Sequence, residues 1–438
     1  MKIKEKNIQI SLVIIIVMMT ILRFLLNEKG RVSPDSIRYM RFAHVFPTID
    51  NTTTPVGYPL SIKLFTYLGM DEFWSSKVIG ILAFLFIVAF AWKKNFFFKE
   101  SVIVSALFSF VSIYSFTMSE ALILPFVFLF LYTAHLIITG QLEKGKAVFY
   151  LSLSLIALYN IRYSSLFIMG GTGLFGLLVW KKKYARTFII SGFIGCGFVA
   201  LYKFTFLDYF NENYIKQSLE MGLHPTSQLL VELFQGLATT FNPFIHIADP
   251  GGGLINNVIY GIGFLNICLM VFLFIKIRLS DSDLFFLVIG ISGIICSFFV
   301  QYFYPVNPID YRLLAPFSLP LWLMYFKRLF DIFNIKVYAI GALSLLSGIL
   351  FTWLSKGNYL ENRKNISQFL ETENLKDKPI TFYLETTEDL EKIQVAELIS
   401  TVNSNISLTF KPQDTLQKTT LTQYKVLQKI RIDKNKYQ

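Results

Sequence analysis

The chain alternates between long apolar runs and short polar breaks. A run such as residues 81–92 (ILAFLFIVAFAW) shows no apolar/polar alternation, so the roughly ten-residue strands of a membrane β-barrel do not describe it. The runs are about 16 to 20 residues long, the length a hydrocarbon core of roughly 30 Å demands of a helix. They predict about eleven transmembrane helices, at residues 8–26, 74–92, 101–116, 120–138, 147–161, 164–180, 187–206, 258–275, 284–302, 313–325 and 337–354. Those ending near Phe116, Ile161 and Tyr325 are short for a full crossing, which predicts helices partly shielded by protein. The first run follows Lys2, Lys4 and Lys6 in the manner of a signal peptide, but it is too long and lacks a small-residue cleavage site. It is read as a retained helix.

After Leu354 the pattern turns polar. ITFYLET (380–386) and NISLTF (405–410) read as strands, and DLEKIQVAELIS (389–400) has helical apolar spacing. The predicted fold is therefore an all-α polytopic membrane protein with a small C-terminal extracytoplasmic α/β domain. The division falls at residues 1–354 and 355–438, with outer loops at 27–73 and 207–257.

Composition narrows the function classes. Of 438 residues, 54% are hydrophobic and 16% charged, against roughly 25% charged in a soluble domain. The net charge of +12 would suggest nucleic acid only if the cations shared a soluble face. Instead they punctuate the ends of apolar runs, so nucleic acid is not an expected partner and membrane lipid is. Cys196, Cys268 and Cys296 lie inside apolar runs without CxxC spacing, and the four histidines show no metal spacing. DPGGG (249–253) lacks a following GK[ST] and is no phosphate loop. The sequons at Asn51, Asn365 and Asn405 are short enough to arise by chance.

With the N-terminus inside, every short inside segment is basic, including Lys93/Lys94/Lys99, Lys144/Lys146, Lys181/Lys182/Lys183/Arg186 and Lys327/Arg328/Lys336. That assignment predicts a cytoplasmic (inner) membrane protein whose C-terminal domain lies outside. The exceptions sit in the first outer loop, where Lys29, Arg31, Arg38, Arg41 and Lys63 are candidate ligands for anions.

Four features on that outer side carry candidate chemistry. Asp35, in PDSIRY (34–39), is either a helix N-cap or a carboxylate that takes a proton from an acceptor hydroxyl or binds a metal ion. Glu120, in TMSEALILP, either faces a polar cavity or complements a helix dipole. Arg162 (YNIRYSS) and Arg312 (DYRLLAP) stand where short-loop arginine is disfavoured. A phosphate matches a guanidinium fork, while snorkelling, or pairing with Asp310 or Asp35, is the plainer account. Lys63 either approaches the site from YPLSIK or snorkels at the interface.

The order of these features resembles the type-C glycosyltransferases, multi-helix enzymes that use polyprenyl-phosphate sugars. PDSIRYMRFAHVF followed by PVGYPL is similar to the first outer loop of bacterial relatives of protein O-mannosyltransferases and aminoarabinose transferases. SEALILPFVFLFLY (119–132), YNIRYSSLFIM (159–169) and DYRLLAPFSLP (310–320) resemble the family's later motifs in place. Two departures stand out. The family's second loop acid is Ser36 here, and the tyrosine after the late arginine is Leu313, with Tyr311 preceding it. The resemblance implies sugar transfer from a polyprenyl-phosphate donor to a lipid, glycan or protein acceptor, inverting, with Asp35 as general base. Arg312 and Arg162 would bind donor phosphate, and Glu120, Arg38, Tyr39, Tyr58, Lys63 and Tyr311 would support substrate. No cofactor is required, although a divalent metal ion stays open. The alternatives are an O-antigen polymerase or ligase, and a lipid-linked sugar flippase or transporter. The latter should show mid-span charges, inverted repeats or broken helices, none of which the sequence displays.

Overall fold

The computed structural model describes residues 5–49, 54–210, 226–248, 253–276, 278–304, 308–386 and 390–433. The sequon at Asn51, Lys216 and most of DPGGG lie outside them. The predicted apolar runs fold as helices, one of them broken into two. Seven helical stretches among the described residues are long and apolar enough to cross a membrane, which makes this an integral membrane protein. They are Glu5–Leu25, Glu72–Lys94, Ser119–Ile138, Ala185–Phe210, Leu254–Ile275, Asp281–Phe303 and Tyr311–Leu354, the last a stretch of two helices, Tyr311–Phe333 and Tyr338–Leu354. Lys144–Ile161 and the shorter Tyr163–Leu178 account for two further predicted runs. Exposed Leu254, Leu265, Ile275 and Phe193 show the apolar faces that such helices turn outward.

One predicted span is corrected. Residues 101–116 do not form a single helix. Phe98–Ala106 and Phe108–Ser115 meet at 76°, with Leu107 in extended conformation between them. Neither glycine nor proline marks the break. A distant side chain supports it, because the Phe108 N–H donates to Ser344 Oγ at 2.8 Å. The expectation that no helix is broken thus fails at this point.

The chain divides into two compact units. The first comprises residues 1–16, 83–111 and 122–348. Here small residues allow close helix crossings. A Cβ on Gly263 would lie 2.0 Å from the Ala238 carbonyl, and one on Gly293 would lie 2.1 Å from the Phe317 ring. The helix predicted at 313–325 runs on to Phe333, since Lys327 and Arg328 reach buried Asp283 at 3.1 and 3.0 Å. A paired charge can continue a helix past the apolar run that announces it.

The second unit comprises residues 17–82, 112–121 and 349–438. The first outer loop is largely helical, with α1 at Pro34–Val45 and α2 at Gly57–Thr66. The C-terminal region contains α3 (Tyr359–Thr372), β1 (Ile380–Tyr383), α4 (Leu390–Ser400), β2 (Ile406–Thr409), β3 (Thr420–Leu421) and α5 (Gln423–Leu427). The two strands and the helix predicted there are present, while α3 and β3 were not foreseen. The sheet is parallel in the order β2-β1-β3, with Ile380 opposite Ile406 and Thr381 opposite Thr420.

This small domain does not close its core alone. Val32, Ile37, Met40 and Phe73 from the first loop are packed among Tyr359, Phe369, Phe382, Ile399 and Ile406. Buried Asn362 ties the pieces by donating to the carbonyls of Glu28 (2.7 Å) and Asp433 (2.8 Å). Arg363 pairs with Asp71, and Lys29 with Glu397. Burial pushes the Glu397 carboxyl up to about 7, against the pull of Lys29.

Candidate active site

The turn before α1 is built by Asn27, whose Oδ1 accepts from the N–H groups of Lys29 (3.1 Å) and Arg31 (2.9 Å). Gly30 lies at φ +70°, and a Cβ there would meet the Phe73 ring at 2.7 Å. Arg31 rests on the Phe116 ring at 4.1 Å, and its carbonyl accepts from Thr117 N–H.

Ser33 occupies the N-cap of α1, and Ser36 answers it. Ser36 Oγ accepts from Ser33 N–H at 2.9 Å and donates to the Thr117 carbonyl at 2.8 Å. Asp35 is therefore not the cap. Its side chain is 54% exposed, and Arg38 Nη1 lies 3.5 Å away. Ser36, by contrast, is fully buried. The position where the resembling enzymes carry a second acid points into packed protein. A lone carboxylate beside a guanidinium does not fit a divalent cation, and no three potential metal ligands cluster among the described residues.

One helical turn from Asp35 on the same face is Tyr39, which is buried. Its hydroxyl lies 3.0 Å from Ser119 Oγ, and Ser119 Oγ donates in turn to Glu120 Oε2 at 3.4 Å. Tyr39 meets Tyr58 edge to face, with centroids 5.1 Å apart. Tyr58 is fully buried, and its hydroxyl has no hydrogen bond of good geometry among the described residues. Burial holds this phenol well above its ordinary range, with Tyr39 and Glu120 pushing the same way. Ser76 and the Met118 backbone lie close enough to oppose them slightly. Tyr39, Tyr58 and Glu120, named from separate stretches of sequence, thus form one buried polar cluster that begins one helical turn from Asp35. Glu120 is only 2% exposed.

Lys63 lies elsewhere. Its ammonium donates to the His44 carbonyl at the far end of α1, about 13 Å along the helix from Asp35.

The remaining candidates belong to the other unit. Arg162 separates Lys144–Ile161 from a short turn, and its Nε donates to Ser164 Oγ at 3.0 Å. Asp310 caps Tyr311–Phe333 by accepting from the N–H groups of Arg312 and Leu313, and it also accepts from Arg312 Nε at 2.8 Å. Pairing with Asp310, one of the plainer accounts of Arg312, is thus observed. The Tyr311 ring packs on His246, with centroids 4.0 Å apart.

Sequence reading missed Ser119, Thr117 and Lys77. Lys77 is 2% exposed, and its ammonium donates to the Ser115 carbonyl at 2.9 Å. Its signal was visible as a lysine among FWSSKVIG, but it resembled interfacial punctuation. Ser76 Oγ and Thr117 Oγ1, 2.8 Å apart, extend the polar lining towards Tyr58.

Fold and site together define an integral membrane protein with a buried polar cluster at the ends of its helices. No family model matches the chain, and no curated protein matches it in sequence. Among solved structures it is similar to the oligosaccharyltransferase of Archaeoglobus fulgidus, crystallised tethered through a disulfide bond to an acceptor peptide containing the NVT sequon. The identity is 12% and the TM-score 0.44. The match covers 92% of this chain and 64% of that one, so this chain spans less than two thirds of that enzyme's length.

Proposed function

We propose that the protein is a membrane glycosyltransferase. It moves a sugar from a polyprenyl-phosphate donor to a hydroxyl of a lipid, glycan or protein acceptor on the extracytoplasmic side of the inner membrane. The observation that carries this reading is the division of labour at the start of α1. Ser33 and Ser36 satisfy the helix end, which leaves the Asp35 carboxylate half-exposed, one helical turn from where the buried Tyr39, Tyr58 and Glu120 cluster begins. A carboxylate relieved of structural duty can act as a base.

In the proposed reaction Asp35 takes the acceptor hydroxyl's proton as that oxygen bonds to the anomeric carbon. The bond from that carbon to the phosphate oxygen breaks, and its electron pair leaves with the phosphate, giving inversion. Of the arginines in the other unit, Arg312 and Arg162 are the proposed ligands for donor phosphate, each offering N–H groups that match its oxygens. Arg38 and Lys63 add positive charge to the first loop, and Tyr311 stands beside Arg312. No step uses a metal ion.

The test is Asp35→Asn in purified protein with a polyprenyl-phosphate sugar. Transfer should fall by about 10²–10⁴-fold with an unchanged melting temperature, because the carboxylate supports no cap. Full activity in the folded variant removes Asp35 from the chemistry. The break at Leu107 is the one observation that favours a transporter instead. Yet residues 101–110 are buried and carry no ionisable side chain, unlike a transport site at a broken helix. Counterflow of labelled lipid-linked sugar across proteoliposomes, with no covalent product, would decide for transport.

A further inference from the structure

The parallel sheet of the C-terminal region has a topological switch point. From β1 the chain crosses through α4 to β2 on one side, then returns past β1 to β3 on the other. In open parallel sheets the crevice outside the carboxyl ends of strands at such a point is where ligands bind. The structure has a cleft of about 590 Å³ there, lined by Tyr383 and Glu385 from the end of β1 and Lys392 from α4. Thr422, Gln423 and Tyr424 follow β3, and Leu427 and Gln428 at the end of α5 complete the described lining. That volume lies within the range of roughly 300–1,000 Å³ for small-molecule sites.

The lining chemistry selects among ligands. Among the described lining residues the charged ones are Glu385 and Lys392, which form an ion pair at 3.0 Å. Phosphate groups are bound by clustered cations or glycine-rich backbone, and the described lining has neither. What remains is an apolar wall of Leu427 and two tyrosine rings, punctuated by hydroxyl and amide groups of Thr422, Gln423, Gln428 and the same tyrosines, each able to donate and accept. That mixture suits a ligand bearing many hydroxyls. Tyr424, 71% exposed, offers a flat face to the C–H side of a sugar ring while its own hydroxyl stays in water.

We infer that this cleft is a binding site for a neutral saccharide, separate from Asp35 and the buried tyrosine cluster. It does not rest on the proposed transfer reaction, because binding here is read without turnover.

The experiment uses the full-length protein in nanodiscs, titrated with maltohexaose, chitotetraose and a linear mannotetraose, with inorganic phosphate as the competing probe. At least one saccharide should bind with Kd in the millimolar range or tighter, and phosphate should not displace it. Tyr424→Ala and Gln428→Ala, both at exposed positions, should each weaken binding by about tenfold or more with unchanged melting temperature. Leu416→Ala, equally exposed but outside the lining, should leave it intact. Asp35→Asn should also bind as the unaltered protein does, so loss of transfer and loss of binding are read separately. Absence of binding across the panel, binding indifferent to both cleft substitutions, or displacement by phosphate would each overturn the inference.

Discussion

Ser36 and Asp35 are adjacent, yet one is wholly inside the protein and the other half outside. Replacing Ser36 with Asp, the acid that the resembling enzymes carry, would place a carboxylate where only a neutral hydroxyl is satisfied. We expect Ser36→Asp to cost several kcal/mol, on the order of 3 or more, and to confer no metal dependence. A melting scan with and without Mg²⁺ or Mn²⁺ checks both. Asp35 and Glu120 were legible as candidates because acids are rare in apolar chains. The role of Ser36 was not, since a serine after Pro34-Asp35 is silent until Thr117 is known to lie opposite. Glu397 supplies a second test at this scale. Its folded-state carboxyl titrates near 7 against an ordinary 4.5, so the folded protein binds that proton more tightly than the unfolded chain. Stability from this group is full below about pH 4.5 and falls as pH rises towards 7, by up to about 3 kcal/mol. Glu397→Gln should flatten that part of the melting-temperature profile. An unaltered slope between pH 5 and 7.5 would assign the titration to another group.

Helices were the most readable elements, because apolar length alone announces them, and their interruptions were the least. Residues 98–115 contain no helix breaker, and the group that supports the bend is Ser344, far along the chain. Ser344 Oγ also donates to the Pro243 carbonyl at 2.6 Å. Ser344→Ala should therefore strand two buried backbone groups and lower stability by about 2–4 kcal/mol, where an exposed serine would cost almost nothing. Gly80 sets another limit. A Cβ there would lie 2.0 Å from the Tyr114 carbonyl, so the helix Glu72–Lys94 can pass Phe108–Ser115 only with a bare α-carbon. Gly80→Ala should destabilise by about 1–3 kcal/mol or more, seen as reduced yield of folded protein and a lower melting temperature. The strands of the C-terminal region were legible from their residues, but β3 has only two and leaves almost no periodic trace.

At the scale of the molecule, linear division at Leu354 describes composition better than packing. Residues 355–438 are polar, yet their core is completed by Val32, Ile37, Met40 and Phe73. Sequence periodicity identifies which positions are apolar, not which distant segment receives them. The C-terminal region expressed alone should therefore remain largely unfolded by circular dichroism. A chain ending at Leu354 should become protease-sensitive near Arg31 and Arg41 even if its membrane helices stay intact. Protection of those sites in the shortened chain would show that the first loop is self-sufficient.

The sharing of that core also imposes a schedule on synthesis. The early loop leaves the ribosome roughly 300 residues ahead of its packing partner, which begins at Tyr359. At roughly 5–20 residues per second, the loop's apolar side chains wait on the order of 15–60 s before anything covers them. During that interval they are open to chaperones, to proteases and to neighbouring nascent chains. In a pulse-chase experiment, resistance of the loop to protease should arise only after the residues from Tyr359 to Val426 have been added.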